Sequence, residues 1–297
     1  MALNLHLVRI FSVVAEQGSF SRGAQVAHIS QPAVTKAIQE LEKQVGIPLL
    51  ERGRQGVRLT EAGQKLQEYA RTIFVAESAA EEELRALRGV TGGTLRIGAS
   101  LTIANYYLPP LVARFHEIYP QLSLRLMSYN TENIEQLLLD YKLDIALVEG
   151  PVHHDRIEAQ KWREDELVVV AAANHPLANH KHLTAADLNE ATWVVRESGS
   201  GTREVIEAAL LERALHWKHT LEINSTAAIK QTVASGLGLA LVSLYSAADQ
   251  IAVGKLCVLP VSDLRVTRPL NSLHLKNRPL GIAARTFKKF IFEEATQ

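Results

Sequence analysis

Apolar and polar residues alternate with a helical period through the first 45 positions of the chain. Between residues 7 and 15, apolar side chains recur at intervals of three and four, which predicts an amphipathic helix that Gly18 ends. A second, shorter helix is predicted after Ser19 or Ser21, with several apolar residues available for burial. The sequence therefore opens with two short helices that each have an apolar face.

A short turn leads to a third helical segment, in which Ser30 is the expected N-cap and Gly46 the expected end. Its apolar residues fall on one face, and Gln31, Thr35 and Lys36 fall largely on the others. Two helices joined by a tight turn, the second with a polar outer face, predict a helix-turn-helix, in which Gln and Thr meet base edges in the major groove. The alternative is a three-helix bundle whose polar face is only solvated.

Residues 49–60 place glycines beside Arg52 and Arg54, between short apolar pieces. This pattern predicts a β-hairpin wing whose arginines reach backbone phosphates or a minor groove. The first sixty residues carry a net charge of +3, the next 29 carry −2 and the remainder carry −1. The zero net charge of the chain therefore does not exclude a nucleic-acid partner, because phosphate binding needs only a local basic patch.

The order of these segments resembles the winged helix-turn-helix signature of the LysR-type transcriptional regulators over some sixty residues. The residues that carry the resemblance are Ser19-Phe20, Ala24, Ala27, Ser30 to Val34, Leu41-Glu42, Gly46, Leu49, Arg52 and Val57 to Gly63. Leu50 stands where Phe is usual, Gly23 where Ala is common, and Gln55 in the usual Arg slot. The resemblance implies DNA contacts from Ser30, Gln31, Pro32, Thr35, Lys36 and Arg52, to which Arg54 is added for its charge.

A long helix is predicted from Glu61 to Arg88, with Thr60 as its cap. Its heptad seam consists of Leu66, Ala70, Ile73, Glu77, Ala80, Leu84 and Leu87. The seam favours pairing between two chains, and the alternative is a surface helix packed on its own subunit. The resemblance also implies a linker helix that pairs subunits, in a homodimer or a homotetramer. Glycines at 89, 92 and 93 mark the next boundary.

From residue 93 onward, strand-like and helical segments alternate, which predicts an open, mostly parallel sheet with helices on both faces. Strands are predicted at residues 94–98, 122–126, 143–148, 167–171, 193–195 and 239–242, and helices near 103–119, 131–141, 203–214 and 227–235. The resemblance implies a two-lobed, periplasmic-binding-protein-like α/β effector domain. The expected domains are 1–60 (winged helix-turn-helix), 61–89 (linker helix) and 90–297 (effector domain), with lobe I near 92–162 and 268–297 and lobe II near 163–267.

Small hydroxyl residues follow two of the predicted strands and open the helices after them. One set is Ser100 and Thr102, and the other is Ser200, Gly201 and Thr202. Because ligands of open α/β sheets bind at strand carboxyl ends and near helix N-termini, the two sets predict one cleft for a small anionic effector. Each set alone is also typical of an ordinary N-cap. Further expected walls are Glu149 and Asn224, and Arg203 is either a counter-ion or a solvated residue.

Several other classes of protein find no support in the sequence. The single cysteine, Cys257, excludes a disulfide framework, and the eleven histidines lack familiar zinc-ligand spacing. There is no nucleophile elbow and no phosphate-binding loop motif, so neither an enzyme nor a cofactor is expected. No apolar run is long enough for a membrane span and no signal peptide is evident, so a cytoplasmic location is expected.

These observations predict an effector-responsive transcription regulator whose partners are double-stranded promoter DNA, a small-molecule effector, a second copy of itself and RNA polymerase. Ligand binding between the lobes would alter their relation and, through the linker helices, the placement of the DNA-binding domains. The rival hypotheses are a solute-binding carrier, which the N-terminal helices and the absence of a secretion signal disfavour, and an enzyme built on the α/β body.

Overall fold

A computed structural model describes residues 2–53, 56–87, 92–213, 217–276 and 278–296. The chain divides into two compact units, Met1–Leu84 and Arg85–Gln297. The first unit contains α1 (Leu5–Gln17), α2 (Phe20–Val26), α3 (Gln31–Val45), β1 (Leu50–Gly53), β2 (Gly56–Leu59) and most of α4 (Glu61–Leu87). Two expected features, Arg54 of the wing and Gly89 of the boundary, lie outside the described residues.

Local sequence determines where the first three helices begin and end. Ser19 and Ser30 accept hydrogen bonds from backbone N–H groups as the N-caps of α2 and α3. Gly18 and Gly46 end α1 and α3 with left-handed backbone, the conformation that glycine adopts most easily. The helices enclose one apolar core, whose fully buried members include Val8, Phe11, Val14, Val34 and Leu41.

Gly23, the unusual glycine of α2, lies against α1. A Cβ at this position would lie 2.8 Å from Cγ2 of Val14 and 3.2 Å from its Cα. The glycine therefore allows a closer approach of the two helices than alanine would. This packing offsets the cost of glycine within a helix, about 0.5–1 kcal/mol.

The wing is an antiparallel pair of strands in which Arg52 of β1 lies opposite Val57 of β2. The N–H of Val57 donates to the carbonyl of Gly18, which fastens the hairpin to the turn between α1 and α2. The carboxylate of Glu42 accepts from the backbone N–H groups of Leu49 (2.7 Å) and Leu50 (3.2 Å). The last turn of α3 therefore holds the start of the wing.

Helix α4 begins at Glu61, where Thr60 caps it by accepting from Gly63. The first part of its heptad seam lies within its own unit, since Ala70 is fully buried and Leu66 packs against the same core. The alternative of a helix packed on its own subunit therefore holds for this part. Leu84, near the other end of the seam, is 62% exposed.

The second unit is built on a seven-stranded sheet with the order β10-β6-β11-β5-β3-β4, in which β9 also pairs with β6. Its strands are β3 (Gly93–Ser100), β4 (Leu122–Tyr129), β5 (Ile145–Glu149), β6 (Ile157–Ala172), β9 (Ala240–Ser243), β10 (Leu256–Val258) and β11 (Val266–Leu275), while β7 (Thr192–Val195) and β8 (His219–Glu222) form a separate parallel pair. The prediction of a mostly parallel sheet is wrong. Strand β3 is parallel to β4 and β5, but β11 is antiparallel to β5 and β6, and β6 is antiparallel to β9 and β10.

Two lobes share the long strands β6 and β11. The helices of this unit are α5 (Leu108–Ile118), α6 (Thr131–Leu139), α7 (Gly201–Leu211), α8 (Thr226–Ala234), α9 (Leu244–Ala252) and α10 (Ile282–Thr296). In one lobe, α5 and α10 cover one face of the sheet and α6 covers the other. In the other lobe, α7 packs over one apolar cluster and α8 over another. Each lobe therefore has helices on both faces of its strands, as expected from the alternation in the sequence.

The helix predicted near 103–119 has two parts. A π-helical turn covers Ile103–Tyr107, and α5 follows with two prolines in its first turn, where a missing N–H is tolerated. The π-turn carries Tyr106 and Tyr107, whose rings lie at the boundary between the lobes. No helix within the described ranges combines the length and the hydropathy that a membrane span requires.

Candidate functional site

The predicted DNA-contacting residues of α3 occupy one side of that helix. Ser30, Gln31, Pro32 and Lys36 are exposed and Thr35 is half-buried. The neighbouring positions Val34, Ala37 and Ile38 are buried in the core, so α3 is fixed by its apolar face and presents its first turns outward. In a helix-turn-helix these are the turns that enter a major groove.

Hydrogen bonds orient two of these polar side chains. The hydroxyl of Ser21 donates to Oε1 of Gln31 over 3.0 Å, which links the start of α2 to the start of α3. The hydroxyl of Thr35 donates to the carbonyl of Gln31 over 3.1 Å. The side-chain oxygen Oε1 of Gln31 therefore accepts the hydrogen bond from Ser21, and its side-chain NH₂ is oriented as a donor.

Three of the predicted effector-site residues meet at Glu149, a further expected wall of the site, whose side chain is almost completely buried at the end of β5. Its carboxylate accepts hydrogen bonds from the hydroxyl of Ser100 and, over 2.9 Å, from that of Thr202. Nη1 of Arg268 lies 3.5 Å from Oε1 of the same carboxylate. Three predicted residues from β3, β5 and α7 therefore meet around one charge.

Burial alone would raise the pKa of Glu149. The positive charge of Arg268 and the hydrogen bonds from Ser100 and Thr202 outweigh burial and hold the pKa below its usual 4.5. The group is therefore a buried carboxylate at neutral pH.

Arg268 is a central residue of this site that was not predicted from the sequence. Its guanidinium is completely buried, donates to Thr202 (2.6 Å) and pairs with Asp165 (2.8 Å). Asp165 also accepts from the hydroxyls of Tyr107 and Ser243, each over 2.7 Å. Burial, followed by the negative charge of Asp165, raises the pKa of Tyr107. The two shared strands thus carry a buried polar network between the lobes.

A second polar cluster lies beside the first. The hydroxyls of Thr102 and Thr226 are 3.4 Å apart, and Nη1 of Arg196 donates to Thr226 over 3.3 Å. Lys230, one helical turn after Thr226, donates to the carbonyl of Ser246. Thr102 was predicted as an effector residue, whereas Arg196, Lys230 and Ser246 were not singled out in the sequence.

The remaining predicted residues have different settings. The N–H of Gly201 donates to Thr131 over 3.2 Å, and Ser200 is buried at the rim of a cavity of about 440 Å³ between the first turns of α6 and α7. Asn224 is exposed in the loop before α8. Arg203 pairs with Glu207 and Glu222, each over 2.6 Å, so its charge is already balanced within its own lobe.

A winged helix-turn-helix and a two-lobed α/β body with polar groups between its lobes define a DNA-binding regulator with a ligand-binding domain. Comparison with known families agrees. The model described as "Bacterial regulatory helix-turn-helix protein, lysR family" matches residues 5–64, and the model described as "LysR substrate binding domain" matches residues 88–296. The chain belongs to the LysR family of bacterial transcriptional regulators, and the predicted family and fold class are confirmed.

Individual relatives extend this result over the whole chain. The RuBisCO operon transcriptional regulator of Allochromatium vinosum is 36% identical over 297 residues, which cover 100% of this chain and 98% of that protein. A full-length OxyR from Pseudomonas aeruginosa shares the fold with a TM-score of 0.77, at 24% identity over 99% of this chain and 95% of its own. The regulatory domain of CcmR from Synechocystis in complex with 2-PG has a TM-score of 0.65, at 26% identity over 69% of this chain and 98% of its own.

Proposed function

We propose that this LysR-family regulator binds double-stranded promoter DNA as a homodimer or homotetramer, and that a small anionic effector between its lobes modulates this binding. The exposed polar side of α3 above a buried apolar side is the observation that carries the DNA part of the proposal. The proposal includes contact with RNA polymerase at the promoter, a cytoplasmic location and the absence of catalysis. The names of the relatives, which are a transcriptional regulator and a transcriptional activator, support a role in the regulation of transcription.

The assigned DNA contacts divide into two kinds. Gln31 presents a donor at the start of α3 and would discriminate between bases, whereas Arg52 and Arg54 of the wing would bind phosphate. Gln31→Ala should therefore lower the ratio of specific to non-specific affinity by about 5- to 150-fold, the equivalent of 1–3 kcal/mol. Arg52→Ala with Arg54→Ala should weaken binding to all DNA and reduce the slope of log K against log salt by about 2.

Fluorescence anisotropy with two duplexes tests this division. One duplex is a promoter fragment that the purified protein selects from genomic DNA, and the other is an unrelated fragment of equal length. Gln25→Ala is the matched control, because Gln25 is an exposed glutamine on α2. Equal binding of both duplexes by the wild-type chain, or unchanged binding by the Gln31 and double arginine variants, contradicts the assignment of this face.

The oligomeric part of the proposal rests on α4. Its second half carries Ala80 and Leu84 as exposed seam positions, while the first half is used within the chain. Sedimentation of the full chain with Leu84→Glu should give monomers or weakened dimers, because the carboxylate would be buried in the pairing seam. Lys65→Glu, at an exposed position of the same helix, is the control. Unchanged assembly of the Leu84 variant contradicts pairing through this seam.

A further inference from the structure

Lys230 is a buried basic residue at the boundary between the lobes. The residue is 5% exposed, and its ammonium group donates to the carbonyl of Ser246 and lies 4.3 Å from the centre of the Tyr106 ring. Among the residues that the structure describes, no acidic side chain forms an ion pair with it. Burial of an unpaired charge is costly, so a position of this kind favours the binding of a negative group.

The surroundings of Lys230 form a compact set of anion-binding groups. Thr226 and Lys230 lie four residues apart on one face of α8, and they face Thr102 and Tyr106, which are also four residues apart. Arg196 approaches the same place through its bond to Thr226. Two cations and two hydroxyls from both lobes therefore converge beside the N-terminus of α8.

The rest of the cleft has the opposite electrostatic character. Around Arg268 there are two buried carboxylates, Glu149 and Asp165, and the charge of Arg196 also acts on Glu149. The cavity of about 440 Å³ at Ser200 is lined by four glutamates, Glu132, Glu135, Glu204 and Glu207, and by Arg203 and His153, which pair with Glu207 and Glu204. The cations of these two regions are already paired with carboxylates, so an anionic group is attracted more strongly to the region of Lys230.

We infer that Lys230 is a specificity-determining residue for the effector and binds its carboxylate or phosphate group, with the hydroxyls of Thr102 and Thr226 as further donors. This inference rests on the proposed function, because it assigns one end of the proposed anionic ligand. Arg196 contributes less, since Glu197 already pairs with it over 2.8 Å.

The test measures the response of the full chain to two probes, inorganic phosphate and succinate, at constant ionic strength kept by sodium chloride. The readout is the shift of the thermal unfolding midpoint and the apparent affinity derived from it. Lys230→Met should weaken both responses by about tenfold or more, the loss expected for a hydrogen bond to a charged group. Lys230→Arg should retain most of the response, and Lys255→Met, at an exposed lysine of the same lobe, should retain all of it.

The unliganded midpoints separate recognition from a purely structural role. If Lys230 binds the anion, Lys230→Met removes an uncompensated buried charge, and its midpoint without anion stays equal to or above that of the wild type. A lowered midpoint with an unchanged anion response identifies Lys230 as a structural contact and overturns the inference. An absent response of the wild type to both probes also overturns it. Promoter binding by the wild type then shows separately whether the proposed function stands.

Discussion

Replacement of Arg268 by methionine should destabilise the effector domain strongly. The guanidinium is completely buried, bonds to Asp165 over 2.8 Å and lies 3.5 Å from Glu149. Methionine fills much of the same space but leaves two buried carboxylates without their counter-ion. Removal of one partner of a buried ion pair costs about 3–5 kcal/mol. The free energy of unfolding at about pH 8 should fall by about that amount.

Tryptophan fluorescence reports this domain selectively. The chain has three tryptophans, Trp162, Trp193 and Trp217, and all of them lie in the unit Arg85–Gln297. Urea unfolding followed by this fluorescence therefore measures the effector domain without a contribution from the DNA-binding unit. The slope m of the free energy of unfolding against urea concentration should be unchanged, since the same surface area is exposed on unfolding.

The pH dependence of the loss provides a second check. The charge of Arg268 works against the effect of burial and lowers the pKa of Glu149, so its removal raises that pKa. The carboxylate of the variant then takes up a proton more easily, and the deficit shrinks as the pH falls. Arg125→Met, at an exposed strand position, should change stability by less than about 0.5 kcal/mol. A deficit below about 1 kcal/mol, or one that grows toward acid pH, would refute the reasoning.

Two further predictions concern the same network. Gly201→Ala should lower the free energy of unfolding by about 1–3 kcal/mol, because its Cβ would lie 2.0 Å from the backbone carbonyl oxygen of Glu149 and 2.8 Å from Oγ1 of Thr131. Urea unfolding measures this loss, with Gly92→Ala as the control because the nearest atom to a Cβ there is 3.8 Å away. Equal stability of the two variants contradicts the packing argument. In the wild type, the lowered pKa of Glu149 contributes stability above pH 4.5 that is lost as the pH falls through the pKa of the folded state. The urea midpoint of Glu149→Gln should therefore fall less steeply on acidification than that of the wild type. Parallel curves of urea midpoint against pH for the two proteins contradict the lowered pKa.

Much of the DNA-binding unit follows from the sequence because its determinants are local. The caps Ser19 and Ser30 and the left-handed glycines at 18 and 46 act on residues no more than a few positions away. Glu42 was missed as a wing contact, since its bonds to Leu49 and Leu50 depend on how the chain returns after α3.

Apart from the predicted strand at 167–171 in the second half of β6, the shared strands could not be predicted in the same way. The first half of β6 contains Lys161, Arg163 and Glu164, and β11 contains Pro269, so neither has the apolar run or the simple alternation typical of a strand. These strands exist because they pair with each other over ten positions, despite a register shift at Leu270. Pairing between segments about 100 residues apart leaves no local pattern.

The candidate effector residues show the same division. Ser100, Glu149 and Thr202 could be predicted together because strand ends and helix starts meet at one edge of an α/β sheet. Arg268 and Lys230 could not, since a lone basic residue in a sequence is normally solvated. Only the fold shows that one is completely buried and the other 5% exposed.

The two polar clusters between the lobes, one around Glu149 and one around Lys230, differ in how favourably they can bind an anionic effector. Glu149 already accepts hydrogen bonds from both lobes and pairs with Arg268, so a ligand that replaced these bonds would have to restore each of them. Lys230 lacks a negative partner within the described chain, so an anion placed there gains an interaction without breaking an ion pair. A ligand shifts an equilibrium between conformations only by its difference in affinity for them. Because Lys230 and Thr102 belong to different lobes, an anion held by both would favour the arrangement of the lobes in which these two residues are close together.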